Sequence, residues 1–335
     1  MLQFKNGTPF QGTIYLVPDA EGIDTLFAVV KATLLLGERL SLAEKQLPVT
    51  LTDQYRGEPG QSSIKTPSDV SLTKPATDVL LLGTAYPPRG RPTTQMDVSL
   101  AAGPLRKTIR VFGDRVWERR GVVPSMSNPA PFETMPLVWE RAYGGMDHKG
   151  TELRAEVRNP VGAGYHAKDG EKPIDGLRLP NLEDPADLVT SVKQHPAPAC
   201  FAPICGHWEP RLSYAGTYDA RWQQERAPYL PKDFDPRFLQ LAPPGLVAPG
   251  YLQASEWIQV QGVTPSGLLR FQLPPARIEV TFVLDGAPQP APANLDTVLI
   301  DPDQNRVVLV WRAGMRCDKK ALRVNEVRAA ALKAA

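Results

Sequence analysis

The sequence predicts a mainly β protein, in which N- and C-terminal strand regions form packed antiparallel sheets around a long loop segment. Proline accounts for 35 of the 335 residues and glycine for 26. This density of helix-breaking residues excludes long helices, and so disfavours helical bundles, helical solenoids and coiled coils. Short strand-like segments between Gly and Pro turns favour packed sheets instead. We expect only one or two short helices.

Composition and charge narrow the class further. Hydrophobic residues make up 42% of the chain, enough for a sizeable core. With 38 basic and 36 acidic residues, the net charge of +2 argues against a nucleic-acid binder that works by bulk charge. Neither a secretory signal nor an apolar run of about 18 residues is visible, so no membrane insertion is expected. Three cysteines, an odd number, indicate reduced thiols and a cytoplasmic protein.

Residues 1–120 form the predicted N-terminal β region. Apolar segments of strand length recur there between Gly and Pro, at residues 27–36, 78–86 and 94–102. Further along, Leu105–Phe112 and residues 115–118 flank Gly113 and Asp114, a dipeptide that favours a hairpin turn. Acidic residues interrupt the basic stretch 106–120, which is typical of the solvated face of a hairpin.

Residues 121–256 form a central region that is dense in Pro and Gly and weak in apolar periodicity. Trp and Tyr are concentrated there, so we expect ordered loops held by aromatic side chains rather than disorder. One short helix is predicted at residues 217–226. Thr217 would cap it, Tyr218 and Trp222 would share a face, and Pro228 would end it.

Residues 257–313 are predicted to complete the same β scaffold. Apolar and polar residues alternate along 277–285, and Asp285-Gly286 closes that strand. A turn-rich loop at 301–305 joins strands predicted at 295–300 and 306–311. The tail, 314–335, is ambiguous, because its Ala-rich end favours a helix whereas Leu322 and Val324 also fit a strand.

The chain lacks the common catalytic signatures, including G-x-S-x-G, the phosphate-binding loop and H-E-x-x-H. One cluster of chemically active residues stands out, at His195, Cys200, Cys205 and His207. Its spacing matches no common zinc module, so we interpret it as packed thiols and hydrogen-bonded or surface imidazoles. No metal, other cofactor or catalytic residue is predicted. The alternative is an enzyme with a Cys/His or metal-dependent hydrolytic site in the central loops.

A series of motif blocks spans the chain. The central one reads MPLVWERAYGG at residues 135–145, and VFGDRVW precedes it at 111–117. Other blocks are NPVGAG at 159–164, WEPR at 208–211, AGTYD at 215–219 and LPKDFD at 230–235. Together they resemble an uncharacterised bacterial domain family encoded beside type VI secretion spike and effector genes. Pro244-Gly245 departs from that pattern, where a polar pair is expected.

The resemblance implies a non-catalytic adaptor or chaperone. Such a protein would bind an effector, often one linked to a PAAR-type tip domain, and help load it onto a VgrG-type spike. A structural component that stays with the secreted spike is a further possibility. Aromatic and Arg residues dominate binding energy at interfaces, so the partner-binding candidates are Trp139, Arg141, Tyr143, Trp208, Arg211, Tyr218 and Trp222.

Other residues of the blocks are interpreted as structural: Glu140, Gly144, Gly145, Gly216, Thr217 and Asp219. The glycines suit close backbone approach or positive φ. On a strand, Glu140 and Arg141 would point to opposite faces, and each would need its own partner if buried. We expect Arg211 and Asp219 to be those partners.

Overall fold

The computed structural model describes residues 2–37, 39–119, 121 and 123–333. Arg120 of the basic stretch and residues 334–335 of the tail lie outside this range. Strands make up 41% of the chain and helices 8%, which confirms the predicted mainly β class.

Within the described residues the strands are, in chain order, β1 Gln3–Asn6, β2 Gln11–Pro18, β3 Asp24–Leu35, β4 Ser41–Leu42, β5 Gln54–Tyr55, β6 Ile64–Thr66, β7 Asp78–Leu81, β8 Thr84–Ala85, β9 Gln95–Ala102, β10 Leu105–Phe112, β11 Trp117–Glu118, β12 Ser125–Met126, β13 Met135–Pro136, β14 Tyr143–Gly144, β15 Met146–Lys149, β16 Glu152–Ala155, β17 Ala163–Gly164, β18 Leu182–Glu183, β19 Trp257–Gln261, β20 Leu268–Gln272, β21 Ala276–Leu284, β22 Ala287–Pro292, β23 Asn294–Asp301, β24 Arg306–Arg316 and β25 Val324–Lys333. The one α-helix in that range is α1, Ala220–Glu225, and the 3-10 helices are Pro88–Gly90, Trp139–Arg141, Leu212–Tyr214, Pro236–Leu239, Pro302–Gln304 and Asp318–Arg323.

A six-stranded sheet joins the two ends of the chain. Its order is β2-β3-β24-β23-β7, with β4 paired to β3. Ten of the twelve residues of β3 are buried, as its apolar run predicts. The hairpin of β23 and β24 forms where it is predicted, around the 3-10 turn Pro302–Gln304, and Asn305 takes a positive φ of 51° after it.

A five-stranded sheet has the order β18-β10-β9-β19-β20. The hairpin predicted at Gly113-Asp114 is wrong, because β10 pairs with β9 through the preceding turn and β11 pairs with β12. Gly113 serves close approach instead: a Cβ there would lie 1.7 Å from the carbonyl oxygen of Ala130. A glycine before an aspartate therefore marked a tight backbone contact and not a turn.

The tail of the chain belongs to a four-stranded sheet of order β1-β25-β21-β22. After the short 3-10 helix Asp318–Arg323, the Ala-rich segment is the strand β25. Asp285 and Gly286 both take positive φ and close the hairpin of β21 and β22, as predicted. Side chains from all three large sheets, for example Val29, Ile109 and Phe282, lie in one buried core.

Buried ion pairs fasten residues 67–78 to the six-stranded sheet. Lys31 on β3 holds Asp69 at 2.7 Å, and Lys74 holds Asp78 of β7 at the same distance. Between these two pairs, Arg312 on β24 donates to the carbonyl of Ser71. A loop without regular structure is thus fixed by charge as well as by packing, because a buried charge is stable only with its partner.

No helix among the described residues is long and apolar enough to cross a membrane.

Candidate interaction surface

The central motif block lies mainly in the interior. Trp139 begins a 3-10 turn and is only 2% exposed, and its Nε1 donates to the carbonyl of Pro203 at 2.9 Å. Trp208 is completely buried and meets Trp139 edge-on, with ring centroids 6.0 Å apart. The two tryptophans therefore hold the central loops together inside the folded protein, where a partner cannot reach them.

Tyr143 and the glycines after it form a tight backbone crossing. Tyr143 is buried, and its hydroxyl lies 2.8 Å from Nδ1 of His195. Gly144 has a φ of +149°, and a Cβ there would lie 2.1 Å from the carbonyl oxygen of Asn159. The side-chain amide of Asn159 in turn donates to the carbonyls of Trp139 and Tyr143. Gly145 also has a positive φ, so both glycines fill structural positions.

Glu140 and Arg141 do not have the predicted partners. They lie on a 3-10 turn and not on a strand. The carboxylate of Glu140 accepts from the backbone N–H and the hydroxyl of Ser63, at 2.8 and 3.0 Å. Arg141 is partly exposed and donates to Asp114 at 2.9 Å and to Asn181 at 3.0 Å. The block is thus linked to two distant parts of the N-terminal region.

Arg211 is held by backbone carbonyls. Its Nη1 donates to Ile204 at 2.6 Å and its Nε to Phe238 at 3.0 Å, and its guanidinium lies over the Phe238 ring. Burial lowers the pKa of Arg211, although the nearby Asp53 opposes that shift. The residue is therefore chiefly an internal clamp on the loop from 204 to 238.

The accessible aromatic residues of the predicted set lie on and beside α1. Tyr218 is 52% exposed, and its ring meets that of the half-buried Trp222 at 4.7 Å, edge-on. The ring contact of the two residues is present, but they do not share a helix face as predicted, because Tyr218 precedes the helix. The predicted cap is wrong: Asp219, not Thr217, accepts the N–H of Trp222, because the helix begins three residues later than predicted. Glu225 is its last residue.

Hydrogen bonds around α1 hold it against the rest of the protein. The backbone N–H and hydroxyl of Thr217 donate to the carboxylate of Asp233. Arg226 donates to the carbonyls of Ala20 and Leu230, both at 2.8 Å. Gly216 has a positive φ, and a Cβ there would lie 2.9 Å from Pro231. The aromatic pair is consequently presented in one fixed position.

A cleft of about 440 Å³ lies next to this helix. Its walls are mainly apolar and come from β2, from residues 68–74 and from residues 228–241. The cleft reaches Arg211 and the buried Lys74, and Tyr229, 40% exposed, stands on its wall. We name the surface formed by Tyr218, Trp222 and Tyr229 the aromatic surface.

The four His and Cys residues of the sequence cluster have separate surroundings. His195 contacts Tyr143, whereas the ring of His207 contacts Trp208. The sulfur of Cys200 lies 3.6 Å from the carbonyl of Leu137, and Cys205 is also buried. In the part of the chain that the structure describes, no group of three or more His, Cys, Asp or Glu side chains is arranged to hold a metal ion.

Burial sets the ionisation of these groups. It raises the pKa of Cys200 and that of Cys205 to about 12 each. It also raises the pKa of the Tyr143 hydroxyl, and burial with the neighbouring Arg211 lowers the pKa of His207. At neutral pH both thiols are protonated, and a protonated thiol is a poor nucleophile and a poor metal ligand.

Sequence reasoning missed a second exposed group, on the five-stranded sheet. Trp257 on β19 is 45% exposed, and the guanidinium of Arg270 on β20 lies 4.0 Å from its ring centroid. Leu268 on the same strand is 58% exposed. The sequence signal that could have found this group is the alternation of inward and outward side chains along β20, where Phe271 is buried between exposed neighbours.

The fold and this surface together define a mainly β protein that presents aromatic side chains on and beside a short, anchored helix. Residues 21–312 match the family described as "Uncharacterized protein conserved in bacteria (DUF2169)". The chain belongs to this bacterial family. No curated protein and no solved structure matches the chain.

Proposed function

We propose that the protein is a non-catalytic adaptor that binds a type VI secretion effector in the cytoplasm and helps load it onto the VgrG-type spike. The observation that carries this proposal is the exposed Tyr218, which precedes α1 and contacts Trp222 on it. The residues that flank the helix are held in place, Thr217 by Asp233 and Arg226 by Ala20. The resemblance of the motif blocks to proteins encoded beside spike and effector genes supplies the cellular context.

The aromatic side chains beside α1 are preorganised for binding. Aromatic side chains bury a large area while they lose few rotamers, so they are frequent anchors at interfaces. Asp219 caps α1, and Arg226 ties its other end to Ala20. Since the anchor is ordered before the partner arrives, binding loses less conformational entropy. A small set of anchors also suits a protein that must hold its partner and later release it.

The enzyme alternative has less support. It needs a reactive thiol or a metal site among the central loops, whereas burial raises the pKa of Cys200 and of Cys205 to about 12. His195 and His207 contact different residues and do not form a pair with either thiol in the hydrogen bonds of the described residues. Surface aromatic residues, in contrast, are what an adaptor requires.

The test is effector secretion by the native bacterium after deletion of this gene. We expect the effector encoded nearby to remain in the cells while the spike protein is still secreted. Complementation with the wild-type gene restores secretion, and Tyr218→Ala does not. The matched control is Arg221→Ala, which changes an exposed residue of α1 close to Tyr218, in an ion pair with Glu225.

Three results overturn the proposal. The first is unchanged effector secretion in the deletion strain. The second is equal complementation by Tyr218→Ala and Arg221→Ala. If the chain itself is recovered in the medium together with the spike, it is a structural component of the secreted particle and not an adaptor that stays behind.

A further inference from the structure

The outer edge of β20 offers unpaired backbone groups. This strand is the last of the five-stranded sheet and pairs only with β19 within the described residues. Two backbone bonds bracket that pairing, from Gly262 N–H to the Gly267 carbonyl and from Leu273 N–H to the Glu256 carbonyl. Because hydrogen-bonded pairs alternate in an antiparallel ladder, the backbone groups that point away from β19 belong to Leu268, Arg270 and Gln272.

The edge strand β22 of the four-stranded sheet shows how this chain prevents a further strand from pairing at an edge. In β22 the prolines occupy alternate positions, at Pro288, Pro290 and Pro292. The positive-φ turn at Asp285 and Gly286 makes Leu284 and Ala287 the closing hydrogen-bonded pair, so these three prolines hold the outward positions. Proline has no N–H, and an edge with proline at every outward position cannot donate to a further strand. On β20 each outward position keeps its N–H.

The side chains of β20 indicate which partner fits. Arg270 lies over Trp257 on the open face of the sheet, and no ion pair between the described residues includes it. Leu268 is well exposed beside it. On the other face Phe271 is buried, and the partly buried Leu269 packs against the core. An added strand would therefore meet a cation and an apolar residue on one face and the rim of the core on the other.

We propose that β20 receives an extended segment of a protein partner, which pairs antiparallel with Leu268–Gln272 and places a carboxylate opposite Arg270. Main-chain hydrogen bonds supply the affinity in such strand addition, and the alternating side chains supply the specificity. Opposite charges directly across a strand pair are favourable, and like charges are unfavourable. The identity of the partner as a secreted effector rests on the proposed function, whereas the strand addition itself does not.

The test uses the full chain and a fluorescein-labelled synthetic peptide of alternating threonine and valine with a central glutamate. Anisotropy is measured for this peptide, for its central-lysine version and for a version N-methylated at alternate amides. We expect the glutamate peptide to bind about fivefold more tightly than the lysine peptide. The N-methylated peptide, which cannot pair along its length, should not bind.

Two variants separate backbone from side-chain recognition. Arg270→Pro removes the outward N–H of this position, and we expect at least a tenfold loss of affinity for the glutamate peptide, since one partner group is left unpaired. Arg270→Ala keeps the N–H, so it should still bind both peptides but no longer prefer glutamate. Urea unfolding of both variants checks that they fold.

A measurement on the unaltered chain covers the case in which Arg270→Pro does not fold. Bound glutamate peptide should slow hydrogen exchange in the segment that contains β20 and leave the segment that contains β22 unchanged. Equal binding by the Pro and Ala variants, or no slowing at β20, overturns the proposal. A dimer of the chain that Arg270→Pro dissociates also overturns it, because the occupant is then a second copy. Neither the effector nor the spike enters this test, so its failure leaves the proposed function standing.

Discussion

The ammonium group of Lys74 lies 2.7 Å from the carboxylate of Asp78, and both side chains are buried. The hydroxyl of Thr297 also accepts from Lys74, at 2.9 Å. Asp78 accepts in addition from the backbone N–H groups of Leu241 and Ala242. The ion pair, whose carboxylate lies on β7 of the six-stranded sheet, therefore fixes residues 241–242, and both Lys74 and Leu241 line the cleft.

Replacement of Lys74 tests this support. Lys74→Met leaves the buried carboxylate of Asp78 without its cation, and we expect a loss of about 3–5 kcal/mol in the free energy of unfolding. The matched control is Lys149→Met, whose partner Asp169 lies 3.4 Å away in an exposed pair. That change should cost only about 0–1 kcal/mol. Urea unfolding measures the loss of stability in both variants. Similar losses would contradict the assignment of the Lys74–Asp78 pair as a buried support of the fold.

Asp147 provides a prediction on pH. Burial disfavours its charged form, but N–H groups of Ala167, His148 and Lys172 donate to the carboxylate and hold its pKa below the ordinary value. A depressed folded pKa means that its stabilisation is complete above the unfolded pKa of about 3.9 and is lost as the pH falls through the folded value.

Asp147→Asn should therefore reduce the free energy of unfolding by about 1–3 kcal/mol at pH 7, because the charged acceptor is lost. The gap between wild type and variant should narrow as the pH is lowered below about 4. Asp169→Asn, at an exposed carboxylate between the two donors Ala167 and Lys172, serves as the control and should change little. A gap that stays constant from pH 7 to acid would show that folding does not depress the pKa of Asp147.

The cysteines should resist alkylation in the native state. A pKa of about 12 leaves roughly one thiolate in ten thousand at pH 8, and both Cys200 and Cys205 are also buried. Mass spectrometry after brief exposure to iodoacetamide should find these two residues unmodified in folded protein and fully modified in denaturant. Rapid native modification of either thiol would instead support the enzyme alternative.

The start of α1 can be tested with two neighbouring changes. Asp219→Ala removes the cap of the helix and should cost about 1 kcal/mol, with faster hydrogen exchange at Trp222. Thr217→Ala removes the bond to Asp233 and should leave the backbone N–H of Trp222 protected from exchange. Faster exchange at Trp222 in the Thr217 variant alone would restore the original prediction of Thr217 as the cap.

Local patterns predicted those parts of the fold that local chemistry decides. The apolar run within β3 and the turns at Asp285-Gly286 and 301–305 formed as expected, because alternation and turn residues act over a few positions. The hairpin turn predicted at Gly113-Asp114 was wrong, because a glycine that permits a turn also permits the close approach of Ala130. The strand identity of the tail was set by pairing with β21, which the tail sequence does not show.

In the candidate site, too, the sequence correctly predicted only contacts between residues that are close together in the chain. The predicted contact of Tyr218 with Trp222 is present, but Tyr218 lies before the cap Asp219 and not on the helix. The burial of Trp139 depends on the carbonyls of residues 202 and 203, and Glu140 bonds Ser63, 77 positions away. Such long-range contacts leave no periodic trace in the sequence. An aromatic residue that holds a loop and one that binds a partner have the same character until the fold is known.

The affinity of the effector for Tyr218→Ala, measured by calorimetry beside urea unfolding of the same variant, tests the central claim most directly. We expect a loss of binding of about 2 kcal/mol or more, as for an interface anchor. The free energy of unfolding should change by only about 0.5 kcal/mol, as for an exposed position, and Arg221→Ala should leave binding unchanged. Unaltered affinity in Tyr218→Ala, or a loss that appears only together with unfolding, would contradict the claim that the aromatic surface binds the partner.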